Sequence, residues 1–249
     1  MYKSIGKVPL QIINIISWIF MVSFNYASQT IPLNQKTMQE LSAKYMTLLS
    51  PAPYAFMIWT LIYALLLVFV IYQARDLFRK NKVYMPFLKD IGLYFFLSSI
   101  LNVLWLFAWH YERIFLSLVI LILLLITLIM IYTNIYSNNN YSLLDKIIVR
   151  TPFSIYFAWV TVAVFINTSI FLKSVDFGMT DELFLILSLV LLFIITLIIA
   201  VKYKDIAFVL TIIWGISGII AARFSVVEPI FEVFPESIAF LTLTLRRFI

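Results

Sequence analysis

Apolar stretches long enough to be helices alternate with short polar ones along nearly the whole chain. The run Ile114 to Tyr132 holds nineteen residues with almost nothing polar, enough to cross a hydrocarbon core of roughly 30 Å. Reading such windows in order predicts spans near residues 8–28, 53–74, 86–109, 114–136, 147–172, 182–201 and 205–222. A weaker eighth stretch covers about 231–245, where Pro235 and Glu236 interrupt the start. Gly and Pro number only 5 and 8, so the helices are expected to be mostly continuous. The fold class predicted is all-α, a polytopic transmembrane helical bundle.

Composition agrees. The chain is 63% hydrophobic and 12% charged, against about 25% charged in a soluble domain, and little of it remains outside the spans to carry a separate soluble activity. The net charge of +6 raises nucleic acid as a partner, but the basic residues sit in short loops between apolar runs, as cytoplasmic loops do. No nucleic-acid partner is expected, and the lipid bilayer is. Placing the N-terminus inside puts thirteen of the eighteen Lys and Arg residues on the cytoplasmic side. Lys36, Lys44, Arg113, Lys173 and Arg223 remain outside. The bias predicts both termini in the cytoplasm and eight crossings, a multi-pass protein of the cell membrane, with a bacterial cytoplasmic membrane as the expected site. A cleaved signal peptide ending near Ala27 is the alternative reading of the N-terminus. The length of the apolar stretch favours a retained first helix.

With no cysteine, disulfides and thiolate chemistry are excluded, and the single His110 rules out a multi-histidine metal centre. No metal site and no catalytic residue is predicted. His110, next to Tyr111 and Glu112, reads as an interfacial residue rather than a base.

Polar groups in a bilayer need a reason. No Asp, Glu, Lys or Arg lies deep in the first five predicted spans; the polar residues there include Asn14, Asn25, Ser98, Ser99, Asn102, Thr161 and Asn167. Ser98, Asn102, Trp105 and Trp109 share one face of the third span, and Phe56, Trp59 and Tyr63 one face of the second. Pro152, Tyr156, Trp159, Ala163 and Asn167 roughly share a face of the fifth. Three helices thus offer aromatic and amide groups at similar depth, beneath the long polar loop 28–52, which reads as a lid or a passive tether. Trp109, Tyr111, Tyr72 and Tyr136 read as interfacial belt residues, and Asn14 as a helix-to-helix hydrogen bond. The ligand-binding residues predicted are Phe56, Trp59, Tyr63, Asn102, Trp105, Tyr156 and Trp159, with the Trp59 indole and Asn102 amide as donors.

Three segments carry a family resemblance. "PAPYAFMIWTLIY" (Pro51 to Tyr63) resembles the second-helix signature of the TspO/MBR family, the tryptophan-rich sensory or translocator proteins. "LNVLW" (Leu101 to Trp105) is similar to its third-helix Leu-Asn-x-x-Trp, and "TPFSIYFAW" (Thr151 to Trp159) to its fifth-helix Pro-Tyr stretch. Phe153 stands where that family usually has Tyr, Tyr156 where it has Trp, and its later Asn would fall near Val164. The resemblance covers roughly residues 8–172 and looks like the longer bacterial branch. It implies a five-helix core over 1–174, with the helices of 175–249 packed alongside and contributing little to the pocket.

The resemblance also implies a cavity under the first loop, taking a tetrapyrrole such as porphyrin or haem, or another small apolar planar ligand, with no cofactor required. A sensor or receptor of the translocator type follows. The alternatives are a transporter of an amphipathic molecule and, with less support, an enzyme degrading a bound porphyrin. A homodimer is compatible with all three.

Overall fold

The computed structural model describes residues 6–232 except Pro32 and Asn139. Regular structure among the described residues is helical throughout: α1 (Lys7–Thr30), α2 (Met38–Lys44), α3 (Ile58–Ala74) after a 3-10 turn at Pro53–Met57, α4 (Phe87–Ile91), α5 (Tyr94–His110) and α6 (Ile114–Ser137). There follow α7 (Leu143–Asp145), α8 (Thr151–Ser174), α9 (Asp181–Tyr203) and α10 (Ile206–Glu232). Among the described residues, six stretches are long and apolar enough to cross a membrane: Lys7–Ser28, Pro53–Gln73, Ile114–Ser137, Leu143–Ser174, Asp181–Tyr203 and Ile206–Phe224. Tyr94–His110 is a shorter apolar helix. This is a multi-pass membrane protein. The eighth stretch, 231–245, lies outside the described residues save for 231–232, as does the C-terminus.

The third predicted span is not one helix. Gly92, at φ 52°, ends α4 and redirects the chain before α5 begins, a backbone state that glycine adopts at little cost. The break is pinned to α6 and the loop after it. Asn134 donates to the Asp90 carbonyl at 2.9 Å, and the Asp90 carboxylate accepts from Asn138 at 2.8 Å and Tyr141 at 2.7 Å. A second irregularity precedes α8, where Lys146–Arg150 form a π turn just before Pro152. Pro152 has no N–H to continue the α ladder, and π turns commonly absorb such a misfit.

The loop 28–52 is also more ordered than its lack of periodicity predicts. Thr37 and Glu40 form a capping box: the Thr37 hydroxyl accepts from the Glu40 N–H at 3.2 Å, and the Glu40 carboxylate accepts from the Thr37 N–H at 2.8 Å. That pair starts α2 by satisfying two N–H groups at its end.

Helix α8 is the hub, packing against α3, α6, α9 and α10, while α5 lies between α1 and α6. Phe69, Phe95 and Phe153 meet edge to face, with centroids 5.2–5.8 Å apart, the arrangement ring quadrupoles favour. Phe153 is fully buried there, among rings that offer a hydroxyl no acceptor.

Polar bridges set the register of the bundle. Asn25 of α1 donates to the Asn102 carbonyl at 2.7 Å, and Asn102 of α5 donates to the Tyr156 hydroxyl of α8 at 3.1 Å. At the opposite end of the bundle from the loop 28–52, the Asp205 carboxylate caps α10 through the Phe208 N–H at 3.1 Å. It also accepts from Tyr132 at 2.9 Å and Ser154 at 2.5 Å. Asn14 departs from expectation: both ends of its amide are buried without a partner, so it makes no helix-to-helix bond.

Helix α10 closes on the turn before α3. A Cβ on Gly218 would stand 2.7 Å from the Ala55 Cβ and 3.1 Å from that of Pro51. Only glycine permits this approach, which allows the Ala52 N–H to reach the Gly218 carbonyl at 2.9 Å. The Trp214 indole donates to the Ala55 carbonyl at 3.0 Å.

The Asn102 bridge is testable by stability. Asn102→Ala leaves Asn25 and Tyr156 without a mutual partner in the bundle, and should cost about 1–3 kcal/mol. Asn25→Ala combined with it should be less than additive, read by thermal denaturation of the purified protein in detergent.

Candidate functional site

Beneath the loop 28–52 lies a cavity of about 450 Å³, within the roughly 300–1,000 Å³ of small-molecule sites. Its walls come from six parts of the chain. Helix α2 and the loop contribute Met38, Ser42 and Met46, and the proline turn contributes Ser50, Pro51 and Phe56. Trp59, Trp105, Trp109 and Trp159 bring four indoles from α3, α5 and α8. Asn167 and Ile170 of α8 complete one side, and Ala222 and Arg223 of α10 another.

The indoles are held by rings behind them. Trp59 stacks on Tyr63 at 5.6 Å and on Trp105 at 6.3 Å, and meets Tyr156 edge-on at 5.8 Å. Phe56 meets Trp159 edge-on at 6.1 Å. The indole N–H groups of Trp105, Trp109 and Trp159 are buried and have no protein partner. An unpaired buried donor costs about 1–3 kcal/mol, so three around one cavity are an open demand for an acceptor.

A family model described as TSPO-like protein matches residues 11–245. The chain belongs to the TSPO-like family. No curated protein and no solved structure matches the chain. The family match extends well past residue 172, where the motif resemblance stopped, and takes in α9 and α10.

In this TSPO-like protein, the predicted site residues divide into two layers. Phe56, Trp59, Trp105 and Trp159 line the cavity, whereas Tyr63, Asn102 and Tyr156 do not. Asn102 is fully buried and spends its amide on Asn25 and Tyr156, so it is not a donor facing the cavity. Helical spacing places it on the face of Trp105 but does not show that another helix claims its amide. Tyr63 and Tyr156 instead back Trp59.

Two expectations are corrected. Trp109 is not a belt residue: it is 5% exposed, packs with Leu41, Ile114 and Ile170, and lines the cavity. His110 is fully buried rather than interfacial, with Nδ1 2.8 Å from the Leu106 carbonyl. Helix α10 supplies two of the lining residues, Ala222 and Arg223. Of the other belt assignments, Tyr111 is exposed. Tyr72 and Tyr136 lie under Arg75 and Arg150, 3.8 and 4.6 Å from ring centroid to guanidinium. Asn167, left out of the predicted set, lines the cavity while its carbonyl accepts from Ser117 at 3.1 Å. Its spacing from Trp159 and Ala163 was the available signal.

The loop is fastened as a lid. Glu112 accepts from Lys36, from Lys44 and, at 2.5 Å, from the Tyr45 hydroxyl. Further ties are Asn34 to the His110 carbonyl at 3.1 Å and Thr47 to Ser169 at 2.8 Å. Lys36, Lys44 and Tyr45 hold the Glu112 carboxyl down at about 2, below its ordinary 4.5. A lowered carboxyl pKa stabilises the lid above the unfolded value and loses that contribution as pH falls through the folded one. Amide-exchange protection over residues 33–50, relative to the intrinsic rate at each pH, should therefore hold from neutral pH down to about 5 and be lost as pH falls toward about 2. Glu112→Gln should show the faster exchange already at neutral pH.

Proposed function

We propose that this protein is a membrane receptor for an apolar, planar small molecule of the tetrapyrrole class, held between the indoles under the lid. The observation that carries the reading is the convergence of Trp59, Trp105, Trp109 and Trp159 on one cavity, three of them with unpaired N–H donors. Stacked rings give large contact area at low conformational cost, and the N–H groups fix orientation by meeting acceptors on the ligand. Among the described lining residues, the only donors with affinity for a haem iron are the Met38 and Met46 thioethers, and His110 stands off the wall. The lining therefore favours a metal-free ring.

Signalling would follow from the lid, which contributes wall residues and is tied to the bundle by Glu112. A ligand that contacts both biases the lid toward its closed position, and a partner reading that surface completes a sensor. The positive-inside bias places this lid outside the cell and the N-terminus in the cytoplasm. Cysteines at Gln35 and Asn81 test that placement: an impermeant thiol reagent on intact cells should label the first and spare the second.

Binding is tested by tryptophan quenching with metal-free protoporphyrin. Trp159→Phe and Trp105→Phe each keep most of a ring and remove one donor, and each should weaken affinity about five- to thirty-fold, or about 1–2 kcal/mol. Trp18 is the control, because its indole donates to the Tyr63 carbonyl at 3.0 Å and faces no cavity; Trp18→Phe should leave affinity nearly unchanged. Unaltered binding in both wall variants overturns the site. The same protein in liposomes separates receptor from transporter, since binding without flux is expected of a receptor.

A further inference from the structure

The aromatic cavity contains one feature that a neutral ring does not use. Among the described residues of its lining, Arg223 is the only charged one, with no Asp or Glu beside it. Its Nη2 donates to the Ser50 carbonyl at 3.3 Å, a neutral acceptor, and its Nε is buried with no partner. The other basic residues near this end are engaged or off the wall. Lys36 and Lys44 pair with Glu112, Lys173 pairs with Asp181, and Arg113 is exposed. A guanidinium in a largely apolar setting without a counter-charge is costly.

Its position is fixed by the fold. One turn and a half before it, Gly218 touches Ala55 and Pro51, and the Ala52 N–H bonds to the Gly218 carbonyl. Further down the same helix Trp214 bonds to the Ala55 carbonyl. These contacts register α10 against the proline turn and set Arg223 beside Ser50.

We propose that Arg223 is an anion subsite of the tryptophan cavity, taking the carboxylate of an otherwise apolar, ring-bearing acid whose body stacks among the indoles. The planar guanidinium fork matches a carboxylate with two parallel N–H donors. The ligand's charge supplies a counter-ion that is absent among the described lining residues. The subsite extends the receptor reading and depends on it: the rings give affinity for the body of the ligand, and Arg223 selects acids over neutral analogues.

The test compares protoporphyrin, a dicarboxylic acid, with its dimethyl ester, using the full-length protein in zwitterionic nanodiscs and tryptophan quenching. The acid should bind wild type at least roughly tenfold more tightly than the ester, as a charge-assisted bond implies. Arg223→Gln should reduce the acid to the level of the ester and leave the ester unchanged, while Arg223→Lys should keep part of the preference. Equal binding of acid and ester to wild type overturns the subsite and leaves the receptor standing. Binding of neither removes the receptor reading and the subsite together. A loss of both ligands in Arg223→Gln assigns Arg223 a structural role and overturns the proposal. If that variant does not fold, the wild-type acid-to-ester ratio and Arg223→Lys decide. A fourth arm adds phosphatidylglycerol to the nanodiscs. Displacement of the ester by this lipid in wild type, weaker in Arg223→Lys and absent in Arg223→Gln, with no acid preference, makes the anion a lipid phosphate and overturns the carboxylate assignment.

Discussion

Inside a bilayer a polar side chain has no water to turn to, and Asn102 meets that constraint for three helices at once. Its amide accepts from Asn25 on α1 and donates to Tyr156 on α8. Tyr156 in turn meets the edge of Trp59, which stacks on Tyr63 and Trp105. The hydrogen-bonded chain therefore fixes the depth and angle of the rings above it. If its members slid by a turn, about 5.4 Å, the indoles would no longer converge.

The same constraint distinguishes structural polar groups from available ones. At the end away from the lid, Asp205 finds Tyr132, Ser154 and the Phe208 N–H, and is consumed by holding α6, α8 and α10 together. At the lid end, Trp105, Trp109, Trp159 and Arg223 leave N–H groups unmet, and all four line one cavity. Other buried polar atoms without a partner, among them those of Gln11, Asn14 and Gln73, lie away from the lining of this cavity. Cost concentrated at one place is the physical mark of a site.

The lid and α10 complete the walls of the ring-lined cavity. The lid does so through charge at Glu112 and through Leu41, which packs with Trp109. Helix α10 does so through the near-contact at Gly218, where any larger residue would hold it away from the proline turn. The departures from the TspO/MBR motifs fit this arrangement. Phe153 replaces a tyrosine where the surrounding rings have no use for a hydroxyl, and Tyr156 in place of tryptophan supplies the oxygen that Asn102 needs.

Sequence alone determined the helical membrane class, most of the spans and the aromatic faces, because hydropathy and the 3.6-residue period are local properties that lipid makes nearly obligatory. It also placed Trp59, Trp105 and Trp159 on the faces that line the cavity. Two local signals were present and unread: the Thr37–Glu40 capping box within the loop, and Gly92 inside the third apolar run. What periodicity could not decide was which side chain on a given face meets a partner and which meets open space. Asn102 and Trp105 lie on one face of α5, yet the first is consumed by neighbours and the second lines the cavity. Trp109 resembles a belt residue until Leu41 from the lid covers it. Arg223 resembles a loop charge until Gly218 brings α10 against Pro51 and Ala55. Each of these outcomes depends on a contact between segments far apart in the chain, and only the tertiary structure supplies it.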